Sequence, residues 1–322
     1  MEKIEEKLPF VSVVIPTYNR KKILEKCLSS LLAQTYPNDR YEIIVIDDGS
    51  KDGTDEMVLR LIKGHKSVGE PIIIYEWQEH TSAAAARNRG ILEASGDLVI
   101  LLDSDIVTLP DFIESHVFAQ FDSGSKFSPD NKRIVHGRVI YTEDLDNPTS
   151  TKKKLSDMSM AFFASGNVSI ARRWLIKAGL FDEDFTEYGW EDLELGQRLK
   201  KLGLRVVRSD KPAGYHLKHE FSIDKLPNIR KREIERGRMA VIYYMKHPTI
   251  SVRMSTTMIW PFYLLVGIFT LFGWPDRPGT VKLIDYLDKQ GFKTLLGVLL
   301  QLMIYYWYIQ GIKEGTDKYY KA

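Results

Sequence analysis

The sequence predicts an α/β fold: a mixed, mainly parallel sheet flanked by helices, followed by a hydrophobic helical region toward the carboxyl end. Three observations predict it. Short apolar runs alternate with stretches of helical periodicity through the amino-terminal third, which is the pattern of successive βαβ units. The run Leu98–Leu102, LVILL, is continuously apolar, as expected of a central strand covered on both faces. Beyond residue 253 two long apolar stretches replace the alternation.

Residues 10–15 read as the first strand, stopped by Pro16, with Asn19 as N-cap of the helix that follows. That helix repeats Ile23, Leu24, Cys27, Leu28, Leu31 and Leu32 on one face, so Cys27 reads as a small core residue. Residues 41–46 form a second strand ending in the polar turn Asp47-Asp48-Gly49-Ser50. Residues 54–62 are helical by the spacing of Met57, Val58, Leu61 and Ile62. Residues 71–75 supply a third strand, and Ser82 caps an alanine-rich helix carrying Arg87, Asn88 and Arg89. Leu98–Leu102 is the fourth strand. Pro110 then starts a helix, 121–131 is a polar loop, 134–141 alternates like a strand, and 142–157 is charged and expected to be mobile. Residues 160–170 are apolar around Gly166 and Asn167. A short helix ends at Gly179, and FDEDFTEYGWEDLELGQRLKKLG leads to a strand at 204–207. No internal repeat is present.

The length, 322 residues, suits one large domain or one domain with an appendage. With 45 basic and 43 acidic side chains the net charge is only +2, so no field directs the chain to nucleic acid. A single cysteine excludes an intrachain disulfide and a cysteine-rich metal site. MEKIEEKLPF lacks the apolar stretch of a signal peptide, from which a reducing, cytosolic location is expected.

LVILLDSDIV ends its apolar run with Asp103 and Asp105 flanking Ser104. Open α/β sheets bind ligands at the carboxyl ends of their strands. Two anions this close repel unless a metal, a basic group or protons neutralise them. Mn²⁺ or Mg²⁺, with a preference for hard oxygen ligands and for sharing coordination with phosphates, fits best.

The runs VSVVIPTYNR, QTYP, YEIIVIDDGSKDGT, AAAARNRGI and LLDSDI, in this order, resemble the family-2 glycosyltransferases of the GT-A fold. GWEDLELGQRLKKLG is similar to the carboxyl-terminal part of galactosyl- and N-acetylgalactosaminyl-transferases. The resemblance implies an inverting, metal-dependent transfer from a UDP-sugar to a hydroxyl of a glycan or glycolipid. It implies a catalytic domain over 1–225, with a nucleotide-sugar half at 10–107 and an acceptor half at 108–225. A basic helical linker (226–253) and a membrane-associating region (254–322) would follow. Pro16, Thr17 and Tyr18 are expected to wrap base and ribose. Asp48 can accept a hydrogen bond from a uracil N–H, while Asp47 is divided between a turn role and a ribose contact. The donor fork of Arg87 suits a diphosphate or the aspartate pair; Arg89 reads as solvated. Asp105 is expected as first metal ligand, with Asp103 and Ser104 beside it toward ribose or metal-bound water. His216 completes the metal shell, with His219 as the alternative. Asp192 is the expected general base and Glu191 an acceptor contact; otherwise both simply complement a helix dipole. Trp190 stacks on a sugar or fills core, and Gly166 and Asn167 are assigned to the acceptor. Residues 79–82, Glu-His-Thr-Ser, depart from the glycine-containing turn of the family, which leaves this loop's contact with the donor open.

Residues 254–274 approach the roughly 20 apolar residues of a spanning helix, but Pro261 interrupts them, and 295–309 is shorter. Both carry aromatics toward their ends, as at a membrane interface. The connector holds an apolar stripe of Val281, Ile284 and Leu287. Attachment within one leaflet at the cytoplasmic face is expected over two spans; the alternative is an oligomer interface or a hairpin packed on the catalytic domain. Two other functions compete. A nucleotidyltransferase making activated sugars would carry a glycine-rich, lysine-bearing loop in place of VIPTYNRKK. A non-catalytic glycan-binding protein with a degenerate site has no reason to keep Asp103, Asp105, Glu191 and Asp192 together.

Overall fold

The computed structural model describes residues 8–65, 69–121, 127–152, 154–218, 221–271 and 273–320. The chain divides into two compact units, one of residues 1–186 with 192–219 and one of residues 187–191 with 220–322.

Among the described residues the first unit is built on an eight-stranded sheet in the order β3-β2-β1-β4-β7-β6-β8-β5. The strands are β1 (Val11–Thr17), β2 (Tyr41–Asp47), β3 (Ile72–Trp77), β4 (Leu98–Leu102), β5 (Ile106–Thr108), β6 (Arg133–Thr142), β7 (Asn167–Ala171) and β8 (Arg205–Leu217). The first four pair in parallel. β7 joins β4 antiparallel, β6 joins β7 antiparallel, β8 runs parallel to β6, and β5 closes the order antiparallel to β8. Every residue of β4 is fully buried, as its unbroken apolar run requires.

Successive strand residues point to opposite faces, and each face has its own helices. Val11, Val13 and Ile15 pack with Leu24, Cys27, Leu28 and Leu31 of helix α1 (Lys21–Leu32). Val14, Ile44 and Ile46 pack with Ala84, Ala86 and Ile91 of α3 (Ala83–Glu93); α2 (Thr54–Gly64) lies between these helices in sequence. α4 (Phe112–Gln120), α5 (Arg172–Ala178) and α6 (Glu191–Lys201) complete the helices up to residue 201.

Four sequence expectations change. β1 continues through Pro16 to Thr17: the pairing with β4 ends at Val14, so the missing N–H of Pro16 breaks no bond to that neighbour. Arg20, not Asn19, holds the N-cap position of α1; Asn19 adopts φ 50° and its side-chain oxygen accepts from the Lys51 N–H at 2.8 Å. The expected strand at 204–207 extends to Leu217, because β6 supplies a parallel partner across the polar stretch RSDKPAG, with a register shift between His136 and Arg138. The charged segment 142–157 contains two short 3₁₀ turns, Pro148–Ser150 and Leu155–Asp157.

The second unit is helical: α7 (Leu226–Lys246), α8 (Ile250–Ser255), α9 (Trp260–Phe269), α10 (Pro278–Lys289) and α11 (Lys293–Tyr319). Residues 226–253, read from sequence as a linker, form α7 and α8. α7 packs along α11 and buries Met239, Ala240 and Val241 behind its charged face. Leu226, Ile284, Leu296, Met303 and Trp307 form a shared core. Thr280, Ile284 and Leu287 make the buried side of α10, whereas Val281 is exposed, so the predicted stripe is rotated. The apolar stretch from 254 is not one helix: α8 and α9 are separated by 256–259, where Thr257 has φ 53°.

Candidate active site

β4 delivers its carboxylates at its carboxyl end. The Asp103 N–H donates to the Gly166 carbonyl oxygen at 3.1 Å, tying β4 to the start of β7. A Cβ on Gly166 would stand 2.9 Å from Asp103 Oδ2, so a larger residue here would displace the carboxylate. Arg87, buried on α3, donates from Nη2 to Asp103 Oδ1 at 3.2 Å and lies 5.6 Å from the Phe181 ring centre. Arg87 thus reaches Asp103, one of the aspartate pair. Ser104 is buried between the two carboxylates in sequence.

Asp105 faces the other way. The antiparallel pairing of β5 with β8 sets Ile106 opposite His216, and His216 Nε2 lies 3.1 Å from Asp105 Oδ2. His216 thus sits on a strand rather than a surface loop, while His219 lies outside the described residues. The Arg20 guanidinium pairs with the same carboxylate. Burial pushes the Asp105 pKa up, but the His216 hydrogen bond and the Arg20 charge outweigh it and hold it below the ordinary value. His216 is raised by its bond to Asp105, against the opposing effect of burial.

The residues fit a divalent cation. His216 Nδ1 is 2.8 Å from the Leu217 carbonyl, an acceptor that holds a proton on Nδ1; Nε2 donates to Asp105 and would turn to a cation on losing that proton. Among the described residues no group of three or more His, Cys, Asp or Glu gathers at one point. The protein offers Asp105 and His216 as a pair, with Asp103 turned to Arg87.

Asp192 stands near the start of α6, where its Oδ2 accepts from the Ser165 N–H at 3.0 Å. Oδ1 is shielded from solvent and has no hydrogen-bond partner among the described residues. Burial raises the Asp192 pKa over the opposing pull of Arg87 and of the Ser165 N–H and hydroxyl; the Asp103 charge adds to the rise. Ser165 adjoins Gly166, so Asp192, Asp103 and Arg87 occupy one neighbourhood. An unpartnered carboxylate oxygen raised in pKa is the chemistry of a proton acceptor.

At the end of β2 the two adjacent aspartates diverge. Asp47 accepts from the Ser50 N–H and the Tyr75 hydroxyl, each at 2.8 Å, which engages both its oxygens in the turn and the sheet. Asp48 is also buried, and its carboxylate is held by the loop before α3. Gln78 Nε2 (2.7 Å), the Thr81 N–H (3.0 Å) and the Thr81 hydroxyl (3.2 Å) reach Oδ1, and His80 Nδ1 reaches Oδ2 at 2.7 Å. Tyr18 is 44 % exposed and stacks on His80. Pro16 and Thr17 lie behind it on β1, Thr17 with a buried hydroxyl that has no partner among the described residues.

Three assignments take another form. Asn167 is buried, its amide spent on His116 Nε2 (2.9 Å) and the Arg138 carbonyl (2.9 Å), so it braces β7. Trp190 and Glu191 fall in the second unit. There the Trp190 ring stacks on Tyr243 at 5.8 Å and its N–H donates to the Arg236 carbonyl at 2.9 Å, the core-filling alternative. Arg89 is not merely solvated: it pairs with Glu76 at 2.6 Å and donates to the Trp77 carbonyl at 3.0 Å. Arg20, Gln78, His80 and Thr81 received no role from sequence. Arg20 stands in the PTYNR run and His80 in the one turn that departs from the family pattern, which were the available signals.

The fold defines an α/β protein with a cluster of acidic side chains at the carboxyl ends of its parallel strands. Residues 12–175 match the model described as glycosyl transferase family 2, and residues 149–220 match one described as the N-terminal domain of galactosyltransferase. The chain is 36 % identical over 268 residues to glycosyltransferase AglE of Haloferax volcanii, covering 81 % of each chain. It is 30 % identical over 240 residues to the chondroitin synthase of Escherichia coli, covering 64 % of this chain and 34 % of that one, and spans 52 % of a Streptomyces hygroscopicus validoxylamine A glucosyltransferase at 31 % identity. The chain thus spans about a third to a half of the length of these last two relatives. Among solved structures, mannosyltransferase PcManGT from Pyrobaculum calidifontis, in complex with GDP-Man and Mn²⁺, superposes with a TM-score of 0.61 at 17 % identity over 97 % of this chain and 88 % of that one. GalNAc-T7 with UDP, GalNAc and Mn²⁺ gives 0.53 at 18 % identity, covering 67 % and 44 %. At these identities the likeness is one of fold, the GT-A fold. The chain belongs to glycosyl transferase family 2.

Proposed function

We propose that the protein is an inverting glycosyltransferase that moves a sugar from a UDP-sugar to a hydroxyl of a glycan or lipid-linked saccharide. The observation that carries this reading is the division of carboxylates at the end of β4: Asp105 with His216, Asp103 with Arg87, and an unpartnered oxygen of Asp192 nearby. Asp105 and His216 would hold Mn²⁺ or Mg²⁺, with Asp103 and Ser104 alongside. Such an ion supplies positive charge for the departing diphosphate. Arg87 adds fixed positive charge on the same side, where negative charge develops as the leaving group separates. Asp192 takes the proton of the acceptor hydroxyl; the acceptor oxygen bonds to the anomeric carbon as the bond from that carbon to the diphosphate oxygen breaks. Attack opposite the leaving group inverts the configuration. Tyr18 and Asp48 recognise the base, by stacking and by accepting a ring N–H, with Pro16 and Thr17 shaping the wall behind.

The second unit gives this chemistry its location, at the surface of a membrane on its cytoplasmic face. Trp260, Leu264, Leu265, Ile268 and Phe269 of α9, Leu283 and Tyr286 of α10, and Leu295 and Val298 of α11 are all exposed. α9, with ten residues, is about 15 Å long, half the hydrocarbon core of a bilayer. α11 is longer, but from Trp307 onward its apolar side chains are buried against neighbouring helices and Lys313, Glu314, Asp317 and Lys318 follow. Its exposed apolar part, residues 293–306, is about 21 Å long, whereas the whole 27-residue helix is long and apolar enough to cross by length and composition alone. The exposed lengths support attachment in one leaflet, beside a lipid-linked acceptor.

Thermal unfolding in the presence of Mn²⁺ and a panel of UDP- and GDP-sugars tests the donor. A ligand at a hundredfold its Kd adds about 2.7 kcal/mol of stability, a rise of several degrees. At least one UDP-sugar is expected to give this rise only with the metal. Stabilisation by GDP-sugars alone would reassign the base, and none with any nucleotide sugar would overturn the reading.

A further inference from the structure

The loop 78–81 closes over Asp48 and sets His80 in a particular place. The His80 ring lies flat on Tyr18, with centroids 4.2 Å apart and planes 11° from parallel. Its Nδ1 is 2.7 Å from Asp48 Oδ2 and 3.0 Å from the Asp48 carbonyl oxygen. Both partners only accept, so Nδ1 carries the proton. A flat heterocycle therefore stacks on Tyr18 and donates a ring N–H to Asp48. These are the two contacts that the proposed function gives to uracil. The other carboxylate oxygen of Asp48 already receives three donors from Gln78 and Thr81, more than its two lone pairs. A base N–H must then use Oδ2, where His80 is.

We propose that His80 is an internal occupant of the nucleobase site and that a nucleotide binds by displacing it. The inference rests on the uridine-donor reading above. The loop backbone is wedged in place: Gly49 has φ 87°, and a Cβ there would stand 2.9 Å from the His80 nitrogen. The side chain is free to leave, since more than half of its surface, 55 %, faces solvent. The apparent Kd of a nucleotide is raised by the fraction of molecules in which the site is closed. Displacement precedes any contact that distinguishes one base from another. His80 therefore weakens all nucleotides by the same factor and leaves the order of preference among them unchanged.

Calorimetric titration of the full chain with UDP and with CDP, both in Mn²⁺, tests this. If His80 fills the site nine-tenths of the time, His80→Ala binds UDP about tenfold more tightly. His80→Asn, which keeps a donor for Asp48 but no ring, is expected to fall between the two. The UDP-to-CDP ratio stays the same in all three. In protein labelled at histidine, the His80 ring resonances lose the ring-current shift of Tyr18 as UDP saturates. An unchanged or weaker UDP affinity in both variants, or a His80 signal that keeps its stacked position in the complex, overturns the proposal while leaving the donor reading intact. Absence of nucleotide binding by the wild-type chain and both variants overturns the donor reading and the proposal together.

Discussion

Asp192 Oδ1, a carboxylate oxygen shielded from water and without a hydrogen-bond partner among the described residues, is the clearest chemical signal in the first unit. Its pKa is raised by burial, and a general base works only when deprotonated. Turnover is therefore expected to fall on acidification at a pH above the ordinary carboxylate range of about 4. A pH profile of kcat checks this; an acid limb at or below the ordinary range would remove Asp192 from the role. The placement of Asp192 at a helix start, of Arg87 on a helix and of Asp103 and Asp105 just past a strand end was legible from their runs, whereas the strand that carries His216 was not, because it forms only by pairing with β5 and β6. Nor were Asn167 and Trp190. Polar and aromatic residues satisfy themselves in a core as readily as they meet a ligand, and only the three-dimensional partners, His116 for one and Tyr243 for the other, decide between these. Arg20 and His80 escaped for a related reason: their partners lie 85 and 32 residues away in sequence.

Periodicity predicts the first four strands and three helices because each is apolar in its own right and pairs with a neighbour that is also apolar. It fails for β5 and for the second half of β8, where three residues and the stretch from Ala213 become strands only because β8 and β6 offer partners, on the far side of an irregularity that spans Ser209–Pro212. In the helical unit the same reasoning places the apolar stretches but not their breaks. The exposed side of α9 is where the membrane proposal becomes measurable. Full burial of a leucine or phenylalanine side chain is worth about 1.5–3 kcal/mol. Replacing Leu264, Leu265 and Phe269 together with serine is expected to lower partitioning onto liposomes by a hundredfold or more. Their exposure leaves the thermal midpoint little changed. Sedimentation with vesicles checks it, and undiminished pelleting of a folded triple variant would refute attachment through this face.

Across the whole molecule, the first unit carries two kinds of acidic site on one sheet. In the proposed function the carboxyl end of β4 would hold donor and cation, and Asp192 at the start of α6 would take the proton. Glycosyl transferase family 2 membership accounts for the shared scaffold and leaves sugar, acceptor and linkage to side chains particular to this chain. The account stands or falls on this division of labour. UDP affinity in Mn²⁺, measured by calorimetry on Asp105→Ala and Asp192→Asn and read beside kcat, tests it most directly. Asp105→Ala should weaken UDP binding at least tenfold. Asp192→Asn should keep the wild-type affinity within about twofold and lose about 10²–10⁴ in kcat. Equal loss of UDP affinity in both variants, or full turnover in Asp192→Asn, would contradict it.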